Sequence, residues 1–245
     1  MDMTPIAHIY NDFPTKFGLP RQSGMSEHLI SEIVMEKPYR NIDAFRGIDA
    51  FDYLWLIWIF NPMGKRAWSP TVRPPKLGGN KRMGVFATRS PNRPNPIGLT
   101  RVKLISLEQT TDRGPVLTVA GADLMSGTAI LDIKPYLPYA DSVPHATAGT
   151  YDPAHQKRCN VVIPEQVASL FDENQLAALR EALSYDPRPG YQTDENRCYG
   201  FAYGDYDIHF RVSGYTVTVT EAQKAVPSYK YPNVPANGEH HPCRE

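Results

Sequence analysis

The chain has 245 residues, 41% of them hydrophobic, which excludes a disordered protein and fits one large domain or one domain with a small appendage. Its 26 basic and 26 acidic residues give a formal net charge of zero, which at first sight argues against a polyanionic partner. The longest apolar run, residues 53–60, is too short to cross a bilayer as a helix.

The cysteines and the N-terminus bear on the compartment. Cys159, Cys198 and Cys243 lie far apart, without the paired spacing of a disulfide framework or of a zinc site. The first residues lack the basic segment and apolar segment of a secretory leader. We therefore expect a protein of the reducing cytoplasm, with no membrane attachment and no metal site.

Short β-rich stretches recur through the first half of the chain. They cover residues 6–10, 29–35, 53–60, 84–88, 101–107, 116–120 and 129–133. No long amphipathic helix separates them, so they favour an antiparallel sandwich or barrel over a parallel sheet. The run 53–60 does not alternate, and we predict that it is a central strand covered on both faces.

Two loops in the first third of the chain are rich in polar residues. Pro20, Arg21 and Gln22 follow the first strand, and alone they are weak evidence for a site. Residues 63–80 are rich in Pro, Gly and cations. Loops of that length are uncommon in compact domains unless they bind something or are disordered. We predict a functional loop, with disorder as the alternative.

Charge is segregated along the chain despite the neutral total. Ten cations and no Asp or Glu occur from residue 65 to residue 103. The cations are Lys65, Arg66, Arg73, Lys76, Lys81, Arg82, Arg89, Arg93, Arg101 and Lys103. Such a stretch attracts phosphate backbones and makes binding salt-dependent, because each phosphate contact releases counterions. The alternative is a solvated surface balanced by acids from elsewhere in the fold.

Residues 84–101, GVFATRSPNRPNPIGLTR, form the most unusual stretch. Its three prolines bracket Asn92, Arg93 and Asn95. Because each proline fixes φ, the loop should hold Arg89 and Arg93 in place before a ligand arrives. Arginine forks suit carboxylates and phosphates. The alternative is a stiff turn with outward-facing arginines.

Residues 123–142, DLMSGTAILDIKPYLPYADS, combine a tight turn, a strand and a proline-bracketed tyrosine pair. Tyr136 and Tyr139 on a rigid loop are suited to stacking on a nucleobase. Asp132 is predicted to share its strand face with Ile130, either as an acid lining a barrel mouth or as a paired core acid.

The second half of the chain contains helical patterns and then a hairpin pattern. Pro164 predicts the start of a helix, and Asp172 with Gln175 predicts the cap of a second helix. Alternating apolar residues over 206–212, followed by a turn at 213–214, predict a hairpin. A small β-rich appendage is therefore expected.

Common cofactor and catalytic motifs are absent from the sequence. There is no G-x-G-x-x-G opening a helix, no phosphate-binding P-loop, no H-E-x-x-H and no G-x-S-x-G. A nucleotide or cofactor would therefore bind on an uncommon scaffold.

Three segments together resemble the TsaA-like (TrmO) family. They are PRQ at 20–22, RPPKLGGNKRMGVFATRSPNRPNPIG at 73–98 and DIKPYLPYADS at 132–142. DPRPGYQ at 186–192 and YDIHFRV at 206–212 resemble the small C-terminal domain of the bacterial members. The resemblance implies a mainly β protein. It would have an antiparallel β-barrel domain over residues 1–150 and a small α+β appendage over 151–226. Residues 227–245 lack apolar periodicity, which predicts a flexible tail.

Members of this family are S-adenosylmethionine-dependent tRNA methyltransferases. The resemblance implies methyl transfer to N6 of N6-threonylcarbamoyladenosine, the hypermodified base just 3′ of the anticodon, with tRNA as the partner. It also implies a homodimer with the cofactor site near the dimer interface.

The resemblance also assigns site residues by position. Those expected against the cofactor are Pro20, Arg21, Gln22, Asn61, Arg89, Leu99, Asp123, Leu124, Ser126, Gly127 and Thr128. Those expected to bind tRNA are Arg73, Lys76, Lys81, Arg82, Arg93, Lys134 and Tyr139. Asn61, Asn92 and Ser126 depart from the family pattern.

The chemistry needs a proton acceptor and a cation, because the N6 lone pair is drawn into both the purine and the carbamoyl carbonyl. The candidate acceptors are Asp123, Asp132 and Tyr136. The candidate cations are Arg89, Arg93 and Lys134, and Arg89 ranks first. The residues expected to be catalytic are Arg89, Asp132 and Tyr136.

Two other functions remain open at this stage. A non-catalytic RNA-binding regulatory barrel would use the same basic stretch without a methyl donor. A nucleotide-processing hydrolase is disfavoured, because the sequence shows no metal cluster and no spacing typical of a nucleophile with its base.

Overall fold

The computed structural model describes residues 3–60, 68–74, 81–151, 158–188, 192 and 194–225. The strands are β1 (Ala7–Tyr10), β2 (Ile30–Met35), β3 (Tyr53–Ile59), β4 (Thr71–Val72), β5 (Met83–Gly84), β6 (Ile97–Thr110), β7 (Gly114–Ala120), β8 (Thr128–Pro135), β9 (Asn160–Val162), β10 (Tyr199–Tyr203), β11 (Tyr206–Ser213) and β12 (Thr216–Lys224). The α-helices are α1 (Pro138–Asp141), α2 (Glu165–Ala168) and α3 (Glu173–Ser184). Short 3-10 helices occupy Lys37–Tyr39, Ile42–Phe45, Ile48–Ala50, Val85–Ala87 and Gly149–Tyr151.

Six strands close into an antiparallel barrel in the order β1-β2-β7-β6-β3-β8. Its interior is filled by alternate residues of these strands, among them Ile9, Ile33, Leu54, Leu56, Leu117 and Ile130. A closed barrel pairs the backbone of every strand on both sides and leaves no free sheet edge. The predicted antiparallel β fold is confirmed.

The strand predicted for residues 53–60 is present as β3, but the prediction that both of its faces are covered is wrong. Leu54 and Leu56 are buried inside the barrel, whereas Trp55 and Ile57 on the outer face are partly exposed. A barrel strand meets the core with one face only. Because the outer positions of β3 are also mostly apolar, the sequence does not show this alternation of buried and exposed residues.

The C-terminal region forms its own sheet in the order β10-β11-β12-β9, with β9 parallel to β12. The predicted cap is confirmed, because Asp172 and Gln175 form a capping box at the start of α3. The hairpin is also confirmed, although β11 ends at Ser213 and the chain turns at residues 214–215, one position later than predicted. Leu179 of α3 packs into the core of this unit.

The segment before β6 differs from the predicted strand over 84–88. Only Met83 and Gly84 are in a strand, β5, which pairs with β4, and a 3-10 turn follows. The Thr88 hydroxyl and backbone N–H both bond the Val85 carbonyl and so close that turn. The predicted loop 63–80 contains β4 in its described part. Within it, residues 63–67 and 75–80 lie outside the described residues.

Three further predictions concern the cysteines, the membrane and the tail. Among the described residues, Cys159 is a free thiol. None of the described helices is long and apolar enough to span a membrane. The predicted tail, residues 227–245, lies outside the described residues.

Candidate functional site

An open cavity of about 500 Å³ lies beside the turn that precedes β6. This volume falls within the roughly 300–1,000 Å³ typical of small-molecule sites. Its lining residues are Gln22, Phe86, Ala87, Thr88, Arg89, Ala148 and Tyr151. The fold therefore brings together three segments that are separate in sequence: the loop between β1 and β2, the loop before β6, and the segment after α1 that contains Ala148 and Tyr151.

Arg89 is held by one neighbour on each side of the cavity. Its Nη1 donates to Oε1 of Gln22 at 2.6 Å, and its backbone N–H donates to the Tyr151 hydroxyl at 3.3 Å. Among the described residues no carboxylate forms an ion pair with this guanidinium. The guanidinium of Arg89 is therefore oriented without a direct ion pair, and it can still bond an anionic or carbonyl group.

The loop that carries Arg89 is stiffened by its own residues. Nη1 of Arg93 donates to the carbonyl of Thr88 at 2.8 Å and to that of Ser90 at 3.4 Å. The Ser90 hydroxyl accepts from the backbone N–H of Asn92 at 3.2 Å. Together with the prolines, these bonds within the loop stiffen it. Part of the donor capacity of Arg93 is thus used inside the loop.

Asp123 ends a chain of hydrogen bonds that begins in the barrel core. Nε1 of Trp58 donates to the Thr100 hydroxyl at 2.9 Å, and that hydroxyl donates to Oδ1 of Asp123 at 2.6 Å. Gly98 permits the first contact, because a Cβ there would collide with the Trp58 indole. Burial raises the pKa of the Asp123 carboxyl, and the Thr100 bond, backbone N–H groups and the charge of Arg89 oppose that rise.

The turn from Asp123 to Thr128 is tied to the end of β1. Nδ2 of Asn11 donates to the carbonyl of the buried Leu124 at 2.9 Å, and the Ser126 hydroxyl accepts from the Asn11 backbone N–H at 3.3 Å. Gly127 has a φ of 82°, which favours glycine. The Thr128 hydroxyl donates to the carbonyl of Met125 at 2.7 Å. The turn is therefore a fixed wall beside Asp123.

The loop between β1 and β2 is attached to the C-terminal unit. Pro20 is buried, and Nη2 of Arg21 donates to the carbonyl oxygens of Asp186, Pro187 and Arg188 at 3.4, 3.0 and 2.9 Å. Burial lowers the pKa of the Arg21 guanidinium, which nonetheless stays charged because an arginine pKa is so high. Arg21 thus contacts backbone carbonyls of the C-terminal unit, while its neighbour Gln22 lines the cavity.

Asp132 does not share a face with Ile130, so this prediction is wrong. A bulge in the pairing of β3 with β8 sets Ile130 opposite Trp58 and Asp132 opposite Ile57, which turns Asp132 to the outer face. There its Oδ2 lies 2.9 Å from Nζ of Lys134. A sequence pattern of period two cannot show a bulge.

The segment that carries Tyr136 and Tyr139 lies on the same outer face of the barrel as Asp132. The Tyr136 ring packs 5.6 Å from the Trp55 ring, and the Arg101 guanidinium lies 5.6 Å from the Tyr136 ring centre. Tyr139 is 87% exposed and Leu99 of β6 is 56% exposed. These side chains form an outward-facing surface of aromatic, apolar and basic groups, whereas Asp123 is bonded to groups of the barrel interior.

The basic stretch predicted from the sequence is exposed or half-buried wherever it is described. Arg73, Lys81, Arg82 and Lys103 are exposed. Within the described ranges, no cation of this stretch lies within ion-pair distance of a carboxylate. The alternative of a balanced surface is therefore not supported there. Two predicted site residues, Asn61 and Lys76, lie outside the described residues.

Phe86 is a cavity residue that the sequence reasoning missed. It is 74% exposed and lines both the main cavity and a second cavity of about 260 Å³ formed with Arg93, Pro94 and Asn95. An exposed phenylalanine on a stiff loop is unusual, because burial of its ring would be favourable. The sequence does contain a signal for this role, because Phe86 is the only aromatic residue of the stretch 84–101.

The described residues contain no group of three or more His, Cys, Asp or Glu side chains that could hold a metal ion. The site as described therefore consists of an arginine, an amide, a buried carboxyl and an exposed aromatic ring. This set is suited to binding a polar organic ligand and to moving a proton.

Comparison with known proteins gives two family matches. Residues 8–142 match the tRNA-methyltransferase O N-terminal domain, and residues 156–225 match the TrmO C-terminal domain. The tRNA (adenine(37)-N6)-methyltransferase of Escherichia coli is 39% identical over 221 residues, which cover 85% of this chain and 92% of that protein. The crystal structure of TrmO from Pseudomonas aeruginosa superposes with a TM-score of 0.71 at 27% identity, covering 91% of this chain and 98% of that one.

A third relative matches only part of this chain. The probable S-adenosyl-L-methionine-binding protein of Methanothermobacter thermautotrophicus is 32% identical over 139 residues. These residues cover 92% of that protein but only 57% of this chain.

Proposed function

The chain belongs to the tRNA-methyltransferase O family, and we propose that it transfers a methyl group to N6 of N6-threonylcarbamoyladenosine at position 37 of tRNA. It is an S-adenosylmethionine-dependent tRNA (adenine-N6) methyltransferase. We assign the reaction to a barrel domain of residues 1–150 and treat residues 151–226 as a second domain. The observation that carries the proposal is the cavity in which Gln22 orients Arg89, whose charge acts on the buried carboxyl of Asp123.

The residues around the cavity fit S-adenosylmethionine. Of the residues expected to hold it, Gln22 and Arg89 line the cavity of about 500 Å³, where they supply an amide and a guanidinium. Leu99 and the turn over residues 123–128 are not among the residues that line this cavity. When bound, S-adenosylmethionine supplies an electrophilic methyl group on a positively charged sulfur. The task of the chain is then to align the acceptor nitrogen and to manage its proton.

Arg89 is suited to stabilise the negative charge that develops on the carbamoyl oxygen as N6 becomes nucleophilic. A positioned cation in a partly desolvated site interacts with such charge more strongly than water does. Gln22 fixes the guanidinium in place before the substrate arrives, so little reorganisation is needed. This is the role that we assign to Arg89.

Asp123 is the group best placed to accept the N6 proton. Its pKa is raised by burial, which makes its carboxylate a stronger base than an exposed aspartate. Asp132 is the alternative acceptor, but on the outer face it is paired with Lys134. Tyr136 is the other alternative, and its ring packs among aromatic groups of that face. We therefore favour Asp123.

The exposed ring of Phe86 supports stacking of the target base. Aromatic side chains that carry an unstacked nucleobase contribute about 1–3 kcal/mol per base. Phe86 lies between the cavity with Arg89 and the smaller cavity with Arg93 and Asn95. A base stacked on Phe86 could extend its threonylcarbamoyl group along these polar residues.

The unpaired cations support tRNA as the macromolecular substrate. Arg73, Lys81 and Arg82 are exposed within a stretch that contains no acid, so they would add a phosphate-binding surface next to the site. Lys134 and Tyr139 would extend that surface along the outer face of the barrel. We place this activity in the cytoplasm, the compartment expected from the sequence.

We also propose a homodimer with the cofactor site near the interface. The outward-facing residues Ile97, Leu99 and Ile105 of β6 are 39%, 56% and 50% exposed. These exposed aliphatic side chains, with Arg101 and Lys103 between Leu99 and Ile105, favour burial against a second copy. Analytical ultracentrifugation of the chain would show a dimer, and a monomer at micromolar concentration would contradict this part of the proposal.

One assay tests the proposed reaction. The chain is incubated with S-adenosylmethionine and with tRNA that carries or lacks the threonylcarbamoyl group, and the nucleosides are analysed by mass spectrometry. We expect a gain of one methyl group on threonylcarbamoyladenosine only. Methylation of the unmodified adenosine would overturn the substrate assignment, and tRNA binding without S-adenosylmethionine binding would favour a non-catalytic RNA-binding barrel.

A further inference from the structure

The loop between β1 and β2, residues 11–29, belongs to two structural units at once. Its two ends continue into barrel strands, yet Phe13 and Leu29 are fully buried in the core of the C-terminal unit. Gly18 has a φ of 88° and lies so close to the ring of Phe201 that a Cβ there would collide with it. The loop is thus packed onto the C-terminal sheet along much of its length.

The first polar anchor of this loop is Arg21. Nη2 donates to three successive carbonyl oxygens, those of Asp186, Pro187 and Arg188. Asp186 has a φ of 46°, a left-handed conformation that is rare for a residue other than glycine. Its carboxylate receives two bonds of 2.9 Å from the Arg188 guanidinium, which hold the turn in this shape. The turn is therefore organised around the Arg21 cation.

The second polar anchor is Glu181 of α3. Its Oε2 accepts from the Ser26 hydroxyl at 2.8 Å and from the His28 backbone N–H at 3.3 Å. Its Oε1 lies 2.8 Å from Nδ1 of His28. Glu181 does not line the cavity, so it can influence the site only through this loop.

The residues between the two anchors are those that contact the site. Gln22 accepts the bond from Arg89, and the backbone N–H of Ser23 bonds the Asp123 carboxyl. The Gly24 backbone N–H donates to the carbonyl of Gly121 at 3.0 Å. A displacement of this short segment would move the partners of both Arg89 and Asp123.

We propose that the C-terminal unit positions residues 22–24 against Arg89 and Asp123, with Arg21 and Glu181 as positioning residues. This inference rests on the proposed function for its catalytic consequence. In this proposal Arg21 acts by bonding backbone carbonyl groups of the C-terminal unit, and it does not contact the cofactor directly.

Glu181→Gln is the decisive variant, because it weakens the second anchor without touching the cavity. Hydrogen–deuterium exchange should show faster exchange across residues 22–28, and the KM for S-adenosylmethionine should rise about fivefold to tenfold. Glu173→Gln is the matched control, since Glu173 is exposed on the same helix and loses the same charge. The control should leave both the exchange of residues 22–28 and the KM unchanged.

Arg21→Ala and Arg21→Lys complete the test. The alanine variant should raise the KM at least as much as Glu181→Gln, and lysine should restore part of the loss because an ammonium still donates to carbonyls. If Arg21 instead binds the cofactor directly, Arg21→Ala raises the KM while Glu181→Gln changes neither the KM nor the exchange. That result would overturn the inference. A second result would also overturn it: less folded protein in Glu181→Gln, with a normal KM for S-adenosylmethionine in the fraction that folds.

The exchange measurement also separates this inference from the proposed function. It needs no substrate, so a wild-type protein that transfers no methyl group would refute the proposed reaction and still allow the anchoring to be tested. Unchanged exchange over residues 22–28 in Glu181→Gln, with an active wild type, would refute the anchoring alone.

Discussion

Two loops meet at the cavity, and they are held rigid in different ways. The loop before β6 is closed by its own prolines and by bonds from Arg93 to the carbonyls of Thr88 and Ser90. The loop between β1 and β2 has few internal bonds and is held by Arg21 and by Glu181 of a distant helix. One wall of the site is therefore fixed by local sequence and the other by tertiary contacts, so mutations should separate the two.

Asp123 lies where the two loops meet, and its replacement should have the largest effect. Asp123→Asn should lower kcat by about 10²–10⁴-fold, the usual contribution of a general base. Because burial raises the pKa of Asp123, the acid limb of the wild-type kcat profile should lie above the range of an ordinary aspartate. A variant with normal kcat and a raised KM for S-adenosylmethionine would instead make Asp123 a cofactor ligand.

The same substitution should stabilise the fold. A carboxyl whose folded pKa is raised stabilises the protein at pH values below its unfolded pKa, and this contribution is lost as the pH rises through the folded pKa. At neutral pH the ionised Asp123 is therefore unfavourable, and asparagine removes that cost. The Tm of Asp123→Asn should therefore be higher than that of the wild type at pH 7. Calorimetry at pH 7 measures this difference, and a lower Tm would contradict the burial argument.

Arg89→Ala should lower kcat/KM by about 10²–10³-fold, in line with the loss of one donor to a developing charge. Since Arg89 is exposed, Tm should not change. Arg89→Lys keeps the charge but not the fork that meets Gln22, so it should recover part of the activity. Equal loss in both variants would show that geometry, and not charge, is the main contribution.

Phe86→Ala should raise the KM for tRNA by about 5–150-fold, because base stacking contributes about 1–3 kcal/mol. Phe86→Trp keeps a stacking surface and should retain most of the affinity, whereas Phe86→Leu should behave like alanine. Ile42→Ala is the control, since Ile42 is also exposed but does not line the cavity. A leucine variant with wild-type KM would show that apolar contact suffices without stacking.

The comparison of the two loops is tested most directly by pairing Arg93→Ala with Glu181→Gln. Arg93→Ala removes bonds inside one loop and should speed hydrogen exchange over residues 85–96 but not over 22–28. Glu181→Gln should do the reverse. Bonds from a charged group contribute about 1.5–3 kcal/mol, which corresponds to roughly tenfold to 150-fold faster local exchange. Faster exchange of both loops in either variant would show that they form one cooperative unit.

The smallest effect is expected at the edge of the basic stretch. Arg82→Gln should lower tRNA affinity only a few-fold and should reduce the slope of log K against log salt by about 1. Filter binding between 50 and 200 mM salt, a range in which such slopes are resolved, measures this. An unchanged slope would show that Arg82 does not contact a phosphate.

Much of the local structure could be predicted because local patterns determine it. The alternation in β11, the capping box of Asp172 and Gln175 and the stiffness of the loop around Arg93 all depend on residues a few positions apart. The site residues on that loop were predictable for the same reason. The orientation of Asp132 was not, because the bulge opposite Ile57 depends on how two strands pair.

The sequence by itself determined the strand content, the acid-free basic stretch and the position of Arg89 on a rigid loop, since each depends on neighbouring residues and on backbone sterics. Only the tertiary structure decided that Gln22 faces Arg89, that Asp123 is buried behind Thr100 and that Arg21 contacts the turn at 186–188. These contacts join residues up to 167 positions apart. They depend on the closure of the barrel and on its packing against the C-terminal sheet, which no local pattern records.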